Sequence, residues 1–71
     1  MVDYMTVISG NIQAVGWDGT LSTLYVKFKA GTQYAYVGVP KNIFEALLKA
    51  PSKGKFFAKY IRDKYPTRRV G

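Results

Sequence analysis

The sequence contains neither cysteine nor histidine. The first absence excludes disulfides and thiolate metal sites, and the second removes the commonest remaining zinc ligand, so no metal and no cofactor is expected. Acids are scarce as well. Asp3, Asp18, Glu45 and Asp63 are scattered so that no two form an obvious pair for general acid and base work. Without a histidine or cysteine to act as base or nucleophile, the chain is read as a non-enzyme, with a Ser-Lys or Tyr-Lys chemistry left as the catalytic alternative. Residues 1–10 lack a basic start followed by an apolar run, and no stretch approaches the roughly 18 apolar residues of a membrane span. The expectation is a cytoplasmic protein with no membrane partner.

What is present fits one domain over residues 1–71. A chain this short buries only about 60% of the surface its unfolded form exposes, and disulfides and metals are not available to reinforce it. Self-association remains. A hydrophobic share of 48% and an aromatic share of 15% are generous for a small monomer, and aromatic residues favour interface centres. A homodimer or homotetramer is expected on these grounds.

Residues Ile8 to Trp17 and Leu21 to Lys29 alternate with a partial period of two, Leu24, Val26 and Phe28 facing away from Tyr25, Lys27 and Lys29. Asp18-Gly19 is a turn pair between these two strands. A short connection through Gly31 leads to a third strand, Gln33 to Val39, with Tyr34 and Tyr36 on one face. Pro40 then opens a helix near residues 41–50 in which Ile43, Phe44, Leu47 and Leu48 recur at helical spacing until Pro51. Ser52 is a good N-cap for a second helix, about residues 53–64, with Phe56, Phe57, Tyr60 and Ile61 as its apolar stripe and Tyr65-Pro66 as its stop. The predicted fold is α+β: a three-stranded antiparallel β-meander, two short helices and a basic tail that packs as an extended segment or hangs free.

Charge is segregated. Residues 1–48 balance Lys27, Lys29 and Lys41 against Asp3, Asp18 and Glu45, whereas residues 49–71 hold eight cations and the single acid Asp63, and so carry the entire net charge of +7. A single-signed field attracts polyanions, although a net charge of this size also serves plain solubility. Within it, Ser52-Lys53-Gly54-Lys55 stands at a helix start, where unpaired backbone N–H groups and the positive dipole end can receive an anion and Gly54 lets an oxygen come close. The same four residues would serve equally as a capped helix with solvated lysines. They are not a Walker A loop. Lys59 and Arg62 follow on what a helix through residue 62 would make one basic face with Lys55, and Arg68 and Arg69 add guanidinium groups suited to bidentate phosphate contact. Asp63 is expected to pair with Lys59. Of Trp17, Tyr34, Tyr36, Tyr60 and Tyr65, which could stack on a base, Trp17 beside its turn and Tyr36 near a strand end are the chosen candidates.

The stretch Ser52-Lys53-Gly54-Lys55-Phe56-Phe57, with Ile61-Arg62, Tyr65-Pro66 and Arg68-Arg69-Val70, resembles the signature of the KTSC domain family. Ser9-Gly10-Asn11-Ile12, Val15-Gly16-Trp17-Asp18, Leu24 to Phe28, Tyr34-Ala35-Tyr36 and Val39-Pro40 resemble its upstream half. The family pattern carries Asn at the place of Ala58 and Tyr at that of Trp17. The resemblance implies a non-enzymatic function, with one expected reading and one alternative. The first is binding and sequestration of a cyclic dinucleotide by a small basic oligomer, as in phage sponges that blunt bacterial immunity, which would place the protein in the host cytoplasm. The second is an RNA- or DNA-binding accessory module, as at the end of some lysyl-tRNA synthetases.

Overall fold

The computed structural model describes residues 4–71. Five strands form one antiparallel sheet in chain order: β1 (Met5–Thr6), β2 (Ile12–Asp18), β3 (Thr23–Phe28), β4 (Gln33–Val37) and β5 (Thr67–Arg69). Two helices, α1 (Lys41–Lys49) and α2 (Lys53–Tyr60), lie between β4 and β5 in the chain. The α+β class and the central meander are as expected, but the sheet has five strands where the sequence suggested three. β1 is too short to show any period. β5 comes from the basic tail, all of it exposed, so nothing in its side chains marks it; its backbone pairs Tyr34 with Arg69, Ala35 with Arg68 and Tyr36 with Thr67.

Alternation decides which face is covered. Val15, Val26 and Tyr34 stand in one register row and Trp17, Leu24, Tyr36 and Thr67 in another. Val15, Leu24, Val26 and Tyr36 join Leu47 of α1, Phe57 of α2 and Ile61 in one buried cluster. Both helices therefore sit on that face, and the other has no helical layer. Phe57 is the anchor of α2, packing edge-on against Phe28 at 5.7 Å and Tyr36 at 5.2 Å between ring centroids. Full burial of such a side chain contributes about 1.5–3 kcal/mol. The first long strand begins at Ile12 and not at Ile8, because Ser9-Gly10-Asn11 turns before it, with the Asn11 carbonyl accepting from the Lys29 N–H at 2.9 Å. Gly31 takes φ 101 in the β3–β4 turn, a left-handed value that glycine adopts without a Cβ penalty.

The second helix ends at Tyr60, four residues short of expectation. The N–H groups of Ile61 and Arg62 both donate to the Phe57 carbonyl, at 3.0 and 2.8 Å, and a turn closed from the Lys64 N–H to the Ile61 carbonyl then places Asp63 at φ 63. Short polar residues such as aspartate tolerate that conformation better than most. This tight turn lets Ile61, fully buried, stay in the core while the chain reverses towards β5. No helix of the described residues is long and apolar enough to cross a membrane.

Candidate functional site

Ala50, Pro51 and Ser52 separate the two helices, and Ser52 starts α2 by accepting the Lys55 N–H on its hydroxyl at 3.4 Å. Ser9, Gly10 and Asn11 arrive from the sheet side. A Cβ on Gly54 would lie 3.3 Å from the Asn11 Oδ1 and 3.6 Å from the Ser9 Oγ, so glycine lets the first turn of α2 approach this loop closely. Between them is a cleft of about 460 Å³ with Ile8–Asn11 as one wall and Pro51–Lys55 as the other. A second cleft of about 320 Å³ runs along the other side of the same turn, over Ala50, Pro51, Phe56, Lys59 and Tyr60. Pro51, Ser52 and Lys55 belong to both.

The two clefts differ in chemistry. The first offers hydroxyl, amide and backbone N–H donors at a helix N-terminus with Lys53 and Lys55 at its rim, which suits an anionic oxygen. The second is floored by aromatic rings: Phe56 and Tyr60 lie 4.7 Å apart, and Tyr60 is 45% exposed. Lys59 stands over the Tyr60 ring with its Nζ 5.2 Å from the centroid. A planar apolar group beside an anionic one could occupy both clefts across Lys55.

Ser52, Lys53, Gly54 and Lys55 are thus brought together as the sequence suggested, and Lys59 borders the adjoining cleft. The Lys53 ammonium also donates to the Ala50 carbonyl at 2.9 Å, tying the helices together with one of its three N–H donors. Arg62 departs from the expected basic face. It lies past the end of a helix only about 12 Å long, so Lys55 and Arg62 stand at opposite ends of α2 and cannot grip one phosphate. Asp63 likewise leaves the helical register in which it would meet Lys59. Arg68 and Arg69 are on β5 at the sheet edge, the Arg69 Nε donating to the Gly71 carbonyl at 3.1 Å.

Of the two aromatics expected as base platforms, Tyr36 is buried in the core and Trp17 is half-buried against it. Trp17 donates its indole N–H to the Val39 carbonyl at 2.8 Å and stacks on Phe44 at 6.1 Å. Tyr36 is 4% exposed, with Phe57 against its ring. Burial pushes the Tyr36 phenol up to about 12, the Tyr34 phenol and Asp63 adding to the rise and Arg62 opposing it. Arg62 lines neither cleft. The exposed ring is Tyr60, with half-buried Phe56 beside it, both of which the sequence assigns to the apolar stripe. Ser9 and Asn11 were also missed as site residues; their small polar cluster ahead of a strand was the available signal, but only the fold sets it against Gly54.

Residues 8–65 match the family model of the KTSC domain, a span that holds both clefts and leaves out β1 and β5. The chain is 39% identical over 54 residues to a lysine–tRNA ligase of Trichormus variabilis, covering 76% of this chain and 10% of that one. It thus spans about a tenth of the length of this relative. A protein of Tsukamurella paurometabola is 34% identical over 59 residues, covering 83% of this chain and 88% of its own. Among solved structures, a KTSC domain protein from Yersinia pestis superposes with a TM-score of 0.94 at 32% identity, covering 100% of both chains.

Proposed function

The chain belongs to the KTSC domain family, and from that premise we propose that it is a non-catalytic binding module for nucleic acid, holding a backbone phosphate in the Ser52–Lys55 cleft and a base against Phe56 and Tyr60. The observation that carries this reading is the meeting at Lys55 of a cleft that holds hydroxyl and amide groups at a helix start with an aromatic one. The distribution of cations favours a polymer over a single enclosed anion. Lys53 and Lys55 lie at one end of α2, Arg62 and Lys64 beyond the other, and Arg68 and Arg69 on the sheet edge, so no one small ligand meets them all. Aromatic platforms beside a basic track are the usual means of holding unpaired strands. The relatives named as lysine–tRNA ligases favour RNA in this role.

The second reading is sequestration of a cyclic dinucleotide by a homodimer or homotetramer. It is favoured by the volume of the larger cleft, which falls within the range of about 300–1,000 Å³ typical of small-molecule sites. Native mass spectrometry with cyclic dinucleotides and single-stranded RNA of increasing length separates the two. Affinity that rises with strand length, and log affinity that falls with log salt by about 0.7 per phosphate contact, is expected for the polymer. A shallow salt slope with binding confined to the cyclic ligand on an oligomer would overturn the polymer reading. Phosphate hydrolysis during either titration would overturn the non-catalytic one.

A further inference from the structure

The sheet face turned away from the helices carries its own pattern. Gly16, Tyr25, Ala35 and Arg68 stand in one register row across four strands, and Ala14, Lys27 and Gln33 in the next. Strands are spaced about 4.8 Å apart, so Tyr25 and Arg68 rise about 10 Å from each other with only the Ala35 methyl between them. Gly16 and Ala35 are buried although no element covers them, so neighbouring side chains lie over both. Tyr4 crosses this face from the β1 edge, its hydroxyl donating to the Gln33 Oε1 at 3.3 Å. Its phenol is pushed up by burial and then by the Tyr25 phenol.

The cations of this face are Lys27, half-buried, and Arg68, exposed. Among the described residues, the acid whose register places it here is Asp18, also half-buried, opposite Thr23 in the row next to that of Tyr25; its Oδ1 is engaged, accepting the Thr20 N–H at 2.9 Å. A planar ring with a negative charge is the chemistry that fits an aromatic floor between two cations. We propose that this face is a second contact surface for single-stranded RNA, on which a base stacks on Tyr25 beside the Arg68 guanidinium and its phosphate meets Lys27. Arg68 and Arg69 alternate across β5, one towards each face, so the edge strand gives a strand of RNA a charged path from one surface to the other. The inference rests on the nucleic-acid reading but uses none of the cleft residues.

The test is an amide chemical-shift titration of the full chain with hexauridylate, run beside affinity measurements on Tyr25→Leu, Tyr25→Phe, Arg68→Ala and Arg68→Lys. Shifts at Tyr25, Ala35 and Arg68 are expected, with Tyr25→Leu weakening binding roughly tenfold and Tyr25→Phe leaving it near wild type, since stacking needs the ring and not the hydroxyl. Arg68→Ala should weaken it by about fivefold, Arg68→Lys recovering part. Arg68 is exposed on an edge, so its variants remain informative if the Tyr25 pair fails a thermal-melt check. Shifts confined to Gly54, Lys55 and Tyr60, with sheet-face variants binding as wild type, would overturn this inference and leave the cleft reading standing. Shifts confined to the sheet face would support the inference and sink the cleft. No shift at either surface would end both. Concentration-dependent shifts at Tyr25 and Ala35 without RNA, with a sedimentation mass of two chains, would assign the face to a second copy and overturn the proposal.

Discussion

The two helices are nearly equal in length but are held in different ways. Helix α1 starts at Pro40 with no side-chain cap, and sets Ile43, Phe44, Leu47 and Leu48 against the core. Helix α2 has a side-chain cap at Ser52, a glycine in its first turn, and one fully committed anchor, Phe57, with its remaining length exposing lysines and Tyr60. α1 is a lid over the sheet whose sequence answers to packing. α2 is docked by Phe57 and the following Ile61, which frees its first turn and outer face for other work. A small domain can thus devote one helix to stability and present another, provided the second keeps one deep contact.

That contrast is tested hardest at the anchors. Phe57→Ala should cost about 3–5 kcal/mol and Leu47→Ala about 2–5 kcal/mol, each a large part of the total stability of about 5–15 kcal/mol usual for a domain. Denaturant unfolding measures both. If Phe57→Ala proved mild, α2 would be a surface appendage and the single-anchor account would fail.

Alkaline unfolding reports on the same docking. The Tyr36 phenol beneath Phe57 is raised from 10.0 to about 12, so the folded state holds its proton more tightly than the unfolded chain does. The resulting stability is complete below pH 10 and is lost as pH rises through about 12, a change on the order of 2 kcal/mol. Tyr36→Phe should flatten the dependence in melts taken across that window, whereas an unchanged slope would remove Tyr36 as its source.

The second residues of the two helices sharpen the functional side. Gly54→Ala places a Cβ 3.3 Å from the Asn11 Oδ1 and narrows the cleft, so RNA affinity by calorimetry should fall roughly tenfold, the scale of one charge-assisted hydrogen bond. Asn42→Ala, at the matching place in α1, should leave affinity unchanged. Equal losses would mean that both helix starts act only through general charge. The smallest effect is expected at the cap: Ser52→Ala should cost about 0.5–1 kcal/mol in thermal unfolding, the low end for capping residues, because its bond is long at 3.4 Å.

How much of this was legible in the sequence depends on which physical signal each part uses. β2, β3, β4 and α1 were legible because their apolar residues repeat with the period of the element that buries them. β5 was not, since Thr67, Arg68 and Arg69 bury nothing and earn their strand geometry through backbone pairing to Tyr34–Tyr36. Helix α2 was drawn too long because Ile61 continues its apolar stripe; the core takes Ile61 at the first residue after the helix. The Ser52–Lys55 half of the cleft was visible as a local motif, while Ser9 and Asn11 reach it only through the fold. The packing of Trp17 on Phe44 and of Tyr36 on Phe57 was not legible for the same reason, as an aromatic near a turn or a strand end gives no local sign of whether another ring lies on it.

The sheet ends in two residues at β1 and in three, two of them arginines, at β5. Edges this short offer little template to another sheet, and the two arginines of β5 repel their own copies. The protection at β5 is partly electrostatic, and a polyanion can remove it. On the proposed nucleic-acid reading, RNA that titrates the arginines towards neutrality would strip the complexes of the net charge that keeps them dispersed, and excess RNA would recharge them with the opposite sign. Light scattering should therefore rise and fall again along a titration at constant protein concentration, with its maximum near charge balance and the peak suppressed by salt.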